Sequence, residues 1–103
     1  MDVTKSYHDK EIIGVYLNKT NKILSLTTSD NEKIKFNNVI QIELNYFSDQ
    51  NIIFDILKYD LKSVPNSLIE DYPFLKNERL NKDWTCYVID SSTGLLGVIV
   101  CDH

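Results

Sequence analysis

The most reactive side chains of this sequence are gathered at its end. Cys86 and Cys101, then Asp102 and His103, fall within "CYVIDSSTGLLGVIVCDH". Two thiols can form a disulfide, a thiolate beside a base can act as a nucleophile, and cysteine with histidine can hold zinc. Each of these chemistries requires a particular geometry. A structural zinc site needs about four ligands with one closely spaced pair, and this chain offers two well-separated cysteines, His8 and His103. Neighbours along a strand point to opposite faces, so Cys101 and Asp102 do not converge on one reacting atom. His8, beside Asp9 in a polar stretch, is expected to be solvated. No metal, cofactor or catalytic residue is expected.

Hairpin register decides the disulfide. Gly94 in "SSTG" suits the left-handed position of a three-residue loop, which sets Ser91 opposite Leu95, Cys86 opposite Val100 and Cys101 opposite Thr85. The two sulfurs then lie on opposite faces of the sheet. A two-residue Thr93-Gly94 turn would instead bring Cys86 opposite Cys101, but threonine is a poor first residue for such a turn. Both cysteines are therefore read as buried thiols.

The carboxylates are numerous and scattered, with no recognisable acid-base pair among Asp49, Asp55, Asp60, Glu70, Asp71, Asp83 and Asp90. Asp55 has apolar neighbours in "IIFDILKYD" and is expected to be the outward residue of an edge strand. The three glycines, Gly14, Gly94 and Gly97, build no glycine-rich loop before a helix, so a nucleotide phosphate has no cradle. A different pattern stands out in the second half, where Tyr72 and Trp84 lie among Glu70, Asp71 and Asp83. Acidic residues with aromatic anchors suit a basic protein partner.

Elements with period two must position these residues. "EIIGVYL" (11–17) and "KILSLTT" (22–28) read as a hairpin across "NKTN", and "EKIKF" (32–36) as a third strand with its lysines outward. Asn37 and Asn38 mark a tight turn or bulge before "VIQIELNYF" (39–47), which places Ile40, Ile42, Leu44 and Tyr46 on one side. After "SDQN", "IIFDILKYD" (52–60) places Ile52, Phe54 and Ile56 on one face and Ile53, Asp55, Leu57 and Tyr59 on the other. Pro65 and Pro73 bracket one short helix that Ser63 or Asn66 would cap. It leads into an amphipathic stretch pinned by Phe74, Leu75 and Leu80, and "WTCYVID" with "LLGVIVCD" form the last hairpin.

At 103 residues with 43% hydrophobic and 25% charged residues and no alanine, the chain reads as one domain, 1–103, rich in strand formers. The fold class expected is α+β, a mostly antiparallel curled sheet of about six or seven strands with one short helix in the 60–83 connector. The N-terminus lacks the apolar stretch of a signal peptide, and no apolar run is long enough to span a membrane, so a cytoplasmic, soluble protein is expected. The formal charge is −4, which argues against nucleic acid as a partner. That charge is uneven: residues 1–42 carry five acids against six lysines, and residues 43–103 carry ten acids against four lysines and Arg79.

The stretch "IKFNNVIQIELNYFSDQNIIFDI", with its Asn pair, valine-led strand and short polar turn, resembles small bacterial immunity proteins of contact-dependent inhibition and polymorphic-toxin systems. The closing hairpin "YVIDSSTGLLGVIVCD" has a similar pattern. The resemblance implies a compact cytoplasmic domain that binds and blocks a cognate toxin, often a basic nuclease, without catalysis of its own. It assigns no individual residue.

Together, these readings predict a non-enzymatic binding protein that meets a basic toxin domain through Asp49, Asp55, Asp60, Glu70, Asp71, Tyr72 and Asp83. The alternative is a small-ligand-binding domain or small enzyme with a pocket inside the curled sheet, closed by residues 60–83. A third reading has an exposed sheet edge pair with a second copy, giving a weak homodimer in place of a monomer.

Overall fold

Alternating segments rich in Ile, Val and Leu fold as seven antiparallel strands in the computed structural model, which describes residues 6–78 and 83–102. The strands are β1 (Ile12–Asn18), β2 (Ile23–Thr28), β3 (Lys33–Phe36), β4 (Val39–Asn45), β5 (Ile52–Asp60), β6 (Thr85–Thr93) and β7 (Leu96–Cys101). They divide into a three-stranded sheet of order β1-β2-β3 and a four-stranded sheet of order β4-β7-β6-β5. The expected α+β class with a curled antiparallel arrangement is present, split between two sheets.

The sheets are sewn together at both ends of the curl. At one end an isolated bridge joins Glu11 to Ile52, supported by Ile12 N donating to the Asn51 carbonyl (2.7 Å) and Ile53 N to the Lys10 carbonyl (2.9 Å). At the other, Val39 N donates to the Lys22 carbonyl and Asp102 N to the Asn38 carbonyl, both at 2.9 Å. Asn38 takes the left-handed conformation expected of the Asn pair, with φ 54°. The chain thereby leaves the first sheet and enters the second.

Inside the curl, Leu24, Leu26, Ile34 and Phe36 of the first sheet meet Ile53, Ile89, Ile99 and Cys101 of the second. The interior is filled by these side chains, and Phe36 packs edge-on against Tyr87 with ring centroids 5.2 Å apart. Tyr7, in a segment that reads as polar, also joins this core.

Bulges alter which residues reach the core. A register shift between Val39 and Gln41 turns Val39 inward and leaves Ile40 exposed, while Ile42 and Leu44 pack inward as expected. A second shift between Ile53 and Asp55 lets Ile53 and Ile56 share the inner face and turns Phe54 out. Strict alternation would have separated Ile53 from Ile56.

The connector opens with a single 3-10 turn, Leu61–Ser63, capped by Asp60, whose carboxylate accepts from Lys62 N at 3.1 Å. The expected short helix is α1 (Asn66–Asp71), and a single turn, α2 (Leu75–Glu78), follows within the amphipathic stretch. Neither Ser63 nor Asn66 caps α1. Its N-cap is Pro65, with no side-chain cap bond, and the Pro65 carbonyl accepts from Leu68 N and Ile69 N. Proline presets the entry dihedral, and contacts from Leu68 and Ile69 hold the helix in place. Phe74 and Leu75 pin the connector as expected, and Leu80 lies outside the described residues.

Candidate partner-binding groove

Cross-strand partners share a face of a sheet, so the register of the four-stranded sheet dictates its outer surface. Glu43 stands opposite Val98 and Asn45 opposite Leu96 on β4 and β7. Asp55 stands opposite Asp90, Leu57 opposite Val88 and Tyr59 opposite Cys86 on β5 and β6. One half of this surface is covered: Cys86, Val98 and Val100 form a second core with Leu61, Val64 and Leu75 of the connector. The other half emerges from beneath α1 as a groove.

Two clefts make up this groove. The first, of about 280 Å³, runs between Pro65, Leu68 and Asp71 on the connector side and Leu57, Val88 and Asp90 on the sheet. The second, of about 310 Å³, is lined by Glu43, Asn45, Tyr46, Asp71, Tyr72 and Leu96. They meet at Asp71, Tyr72 and Leu96. Among the described residues no lysine or arginine lines either cleft.

The electrostatics follow from that lining. Partial burial raises the pKa of the Tyr72 phenol above its usual value, and the negative charges of Glu43 and Asp71 push it the same way, against a hydrogen bond from Asn45. Asn45 Nδ2 also donates to Glu43 Oε2 at 3.4 Å. Asp55 and Asp90 are exposed and directly opposed, and Asp55 Oδ1 accepts from the adjacent Ile56 N at 2.8 Å. Like charges in such a pair cost a few tenths of a kcal/mol, up to about 1 kcal/mol.

Of the seven residues expected to meet a partner, Asp71 and Tyr72 line the groove and Asp55 lies beside it as the cross-strand partner of Asp90. Asp60 and Asp83 belong to the connector's own scaffold: Asp60 caps the 3-10 turn, and Asp83 receives Lys62 Nζ at 2.7 Å and raises the pKa of that lysine. Glu70 is exposed on α1 and lines neither cleft. Asp49 sits in the exposed turn before β5, outside the groove. Glu43, Tyr46 and Asp90 line the groove and were not among the residues expected to meet a partner. The outward parity of Glu43 and Asn45 was readable, but their position beside α1 depends on β4 pairing with β7.

The cysteines adopt the expected arrangement. Cys86 opposes Val100 and Cys101 opposes Thr85, both thiols are free and buried, and they lie in different cores on the two faces of the sheet. Gly94 has φ 79°, and a Cβ there would overlap Asn51 Oδ1 and the Gln50 carbonyl. His8 is half exposed, with Nδ1 2.8 Å from the Phe54 carbonyl and its ring edge-on to Phe54. Among the described residues no group of three or more His, Cys, Asp or Glu is arranged to hold a metal ion, and no helix is long and apolar enough to cross a membrane. Compared with known proteins, the chain matches no family model, no curated protein and no solved structure.

Proposed function

We propose that this chain is a non-enzymatic binding protein that captures and neutralises a basic protein partner on the groove between α1 and the outer face of the four-stranded sheet. In keeping with the resemblance noted above, the partner is a cognate toxin domain, and the chain acts as its immunity protein in the cytoplasm. One observation carries the reading: Glu43, Asp71 and Asp90 line one apolar-floored, tyrosine-lined groove with Asp55 beside it, and among the described residues no lysine or arginine lines its clefts. Such a field speeds encounter with a positive partner and disfavours nucleic acid and other anionic surfaces.

The test begins with the reading frame beside this chain's gene. Its terminal domain, purified, should bind the chain in calorimetry, with affinity falling as salt is raised from low to physiological concentration. The double variant Asp55→Lys/Asp90→Lys should weaken binding by about a hundredfold or more and flatten that salt dependence. A neighbouring frame without a basic toxin domain, or an affinity indifferent to both salt and charge reversal, overturns the proposal.

A further inference from the structure

The two clefts of the groove differ in chemistry. The first has an apolar wall on each side, Leu57 and Val88 of the sheet facing Pro65 and Leu68 of the connector, with Asp71 and Asp90 also lining it. The second is a negative socket in which Glu43 and Asp71 stand with Tyr46 and Tyr72. Among the described residues neither of these carboxylates has an ion-pair partner, and Tyr46 is 74% exposed with a left-handed backbone, φ 64°. The clefts share Asp71, Tyr72 and Leu96, so adjoining side chains of one ligand can occupy both.

Taking the binding reading above as its premise, we infer that the groove accepts a short segment of the partner in which an apolar residue adjoins a single arginine. The apolar side chain lies against Leu57 and Val88. The guanidinium enters between Glu43 and Asp71, where its planar fork bonds carboxylate while its face stacks on tyrosine. Charge complementarity selects the cation, and the apolar walls of the first cleft select the neighbour. A diffuse acidic surface would discriminate neither.

Three blocked dipeptides separate these contributions: acetyl-Leu-Arg-amide, the same peptide with neutral citrulline in place of arginine, and acetyl-Ala-Arg-amide. Titrated into the isotope-labelled chain and followed by amide NMR, Leu-Arg should give saturable shifts at Asn45, Asp71, Tyr72, Val88 and Leu96, and each control should bind about tenfold more weakly. Asp71→Asn should abolish the preference over citrulline, and Leu57→Lys the preference over alanine. Both positions are exposed, and the variants' folding is checked by their spectra. Equal affinity for the three peptides, or shifts spread over acidic residues remote from the groove, overturns the inference. If the basic partner domain binds the unmodified chain and both variants equally well, this inference fails while the binding reading stands. If that domain does not bind the unmodified chain, the binding reading itself fails.

Discussion

Burial determines the behaviour of the two thiols. It pushes the Cys86 thiol up to about 12 and the Cys101 thiol up to about 11, from an ordinary 9.0. Between pH 9 and 11 the unfolded chain therefore gives up these protons while the folded chain keeps them. Stability is unaffected by these groups below pH 9 and falls as pH rises above it, the direction linkage requires for acids whose folded pKa is raised. Two outcomes follow from the same burial: denaturant midpoints should decline from pH 9 to 11, with the Cys86→Val variant declining less, and a thiol reagent at pH 8 should react at the rate of unfolding. Rapid reaction of either thiol in the native chain would contradict the packing described. The register that separates the sulfurs was legible because it rests on local turn chemistry, a glycine at the left-handed position and a threonine unsuited to the competing turn. The pairing of Tyr7 with the core was not legible, because nothing within its own polar segment marks it as buried.

At the level of elements, the directly opposed Asp55 and Asp90 join two neighbouring strands at a point where pairing is weakened by repulsion. Neutralising one, by Asp90→Asn, should stabilise the fold by a few tenths of a kcal/mol, up to about 1 kcal/mol, in urea unfolding. The same variant should bind the basic partner less tightly, so stability and affinity move in opposite directions. A variant that loses both would show Asp90 to be structural. Period-two patterning located the strands, because turn residues separate their apolar runs, although β6 continues to Thr93 through residues that read as the turn. It failed where a bulge inserts one residue, as at Phe54 and Ile40, since a bulge is set by the partner strand and leaves no mark in the alternation itself. The groove was half legible for a related reason. Asp71 and Tyr72 could be read from the connector's composition, whereas Glu43, Tyr46 and Asp90 reach it through pairings between distant segments.

Across the whole molecule, the connection between the two sheets converges on Asn51. Its side chain is buried and fully bonded: Nδ2 donates to the Ile12 and Ser48 carbonyls at 3.1 and 2.7 Å, and Oδ1 accepts from Ser48 N and Leu95 N at 2.9 and 3.1 Å. One amide thus ties the first sheet, the turn before β5 and the loop between β6 and β7. Asn51→Ala would leave several of these buried groups unpaired and should cost about 3 kcal/mol in chemical denaturation. Asn51→Asp should also destabilise, since a carboxylate cannot donate to the two carbonyls. A loss below about 0.5 kcal/mol in the alanine variant would refute the role assigned to this side chain. The strand order carries a consequence for synthesis. β7, the last strand described, sits between β4 and β6, so β4 lacks its partner and β6, though paired with β5, keeps one edge open until β7 is available. A chain on the ribosome that has not yet exposed β7 holds two strands with open edges and an uncovered apolar face, and only β7 closes them. Folding of this sheet therefore waits on the emergence of β7, and the nascent chain depends on whatever shields those edges until then.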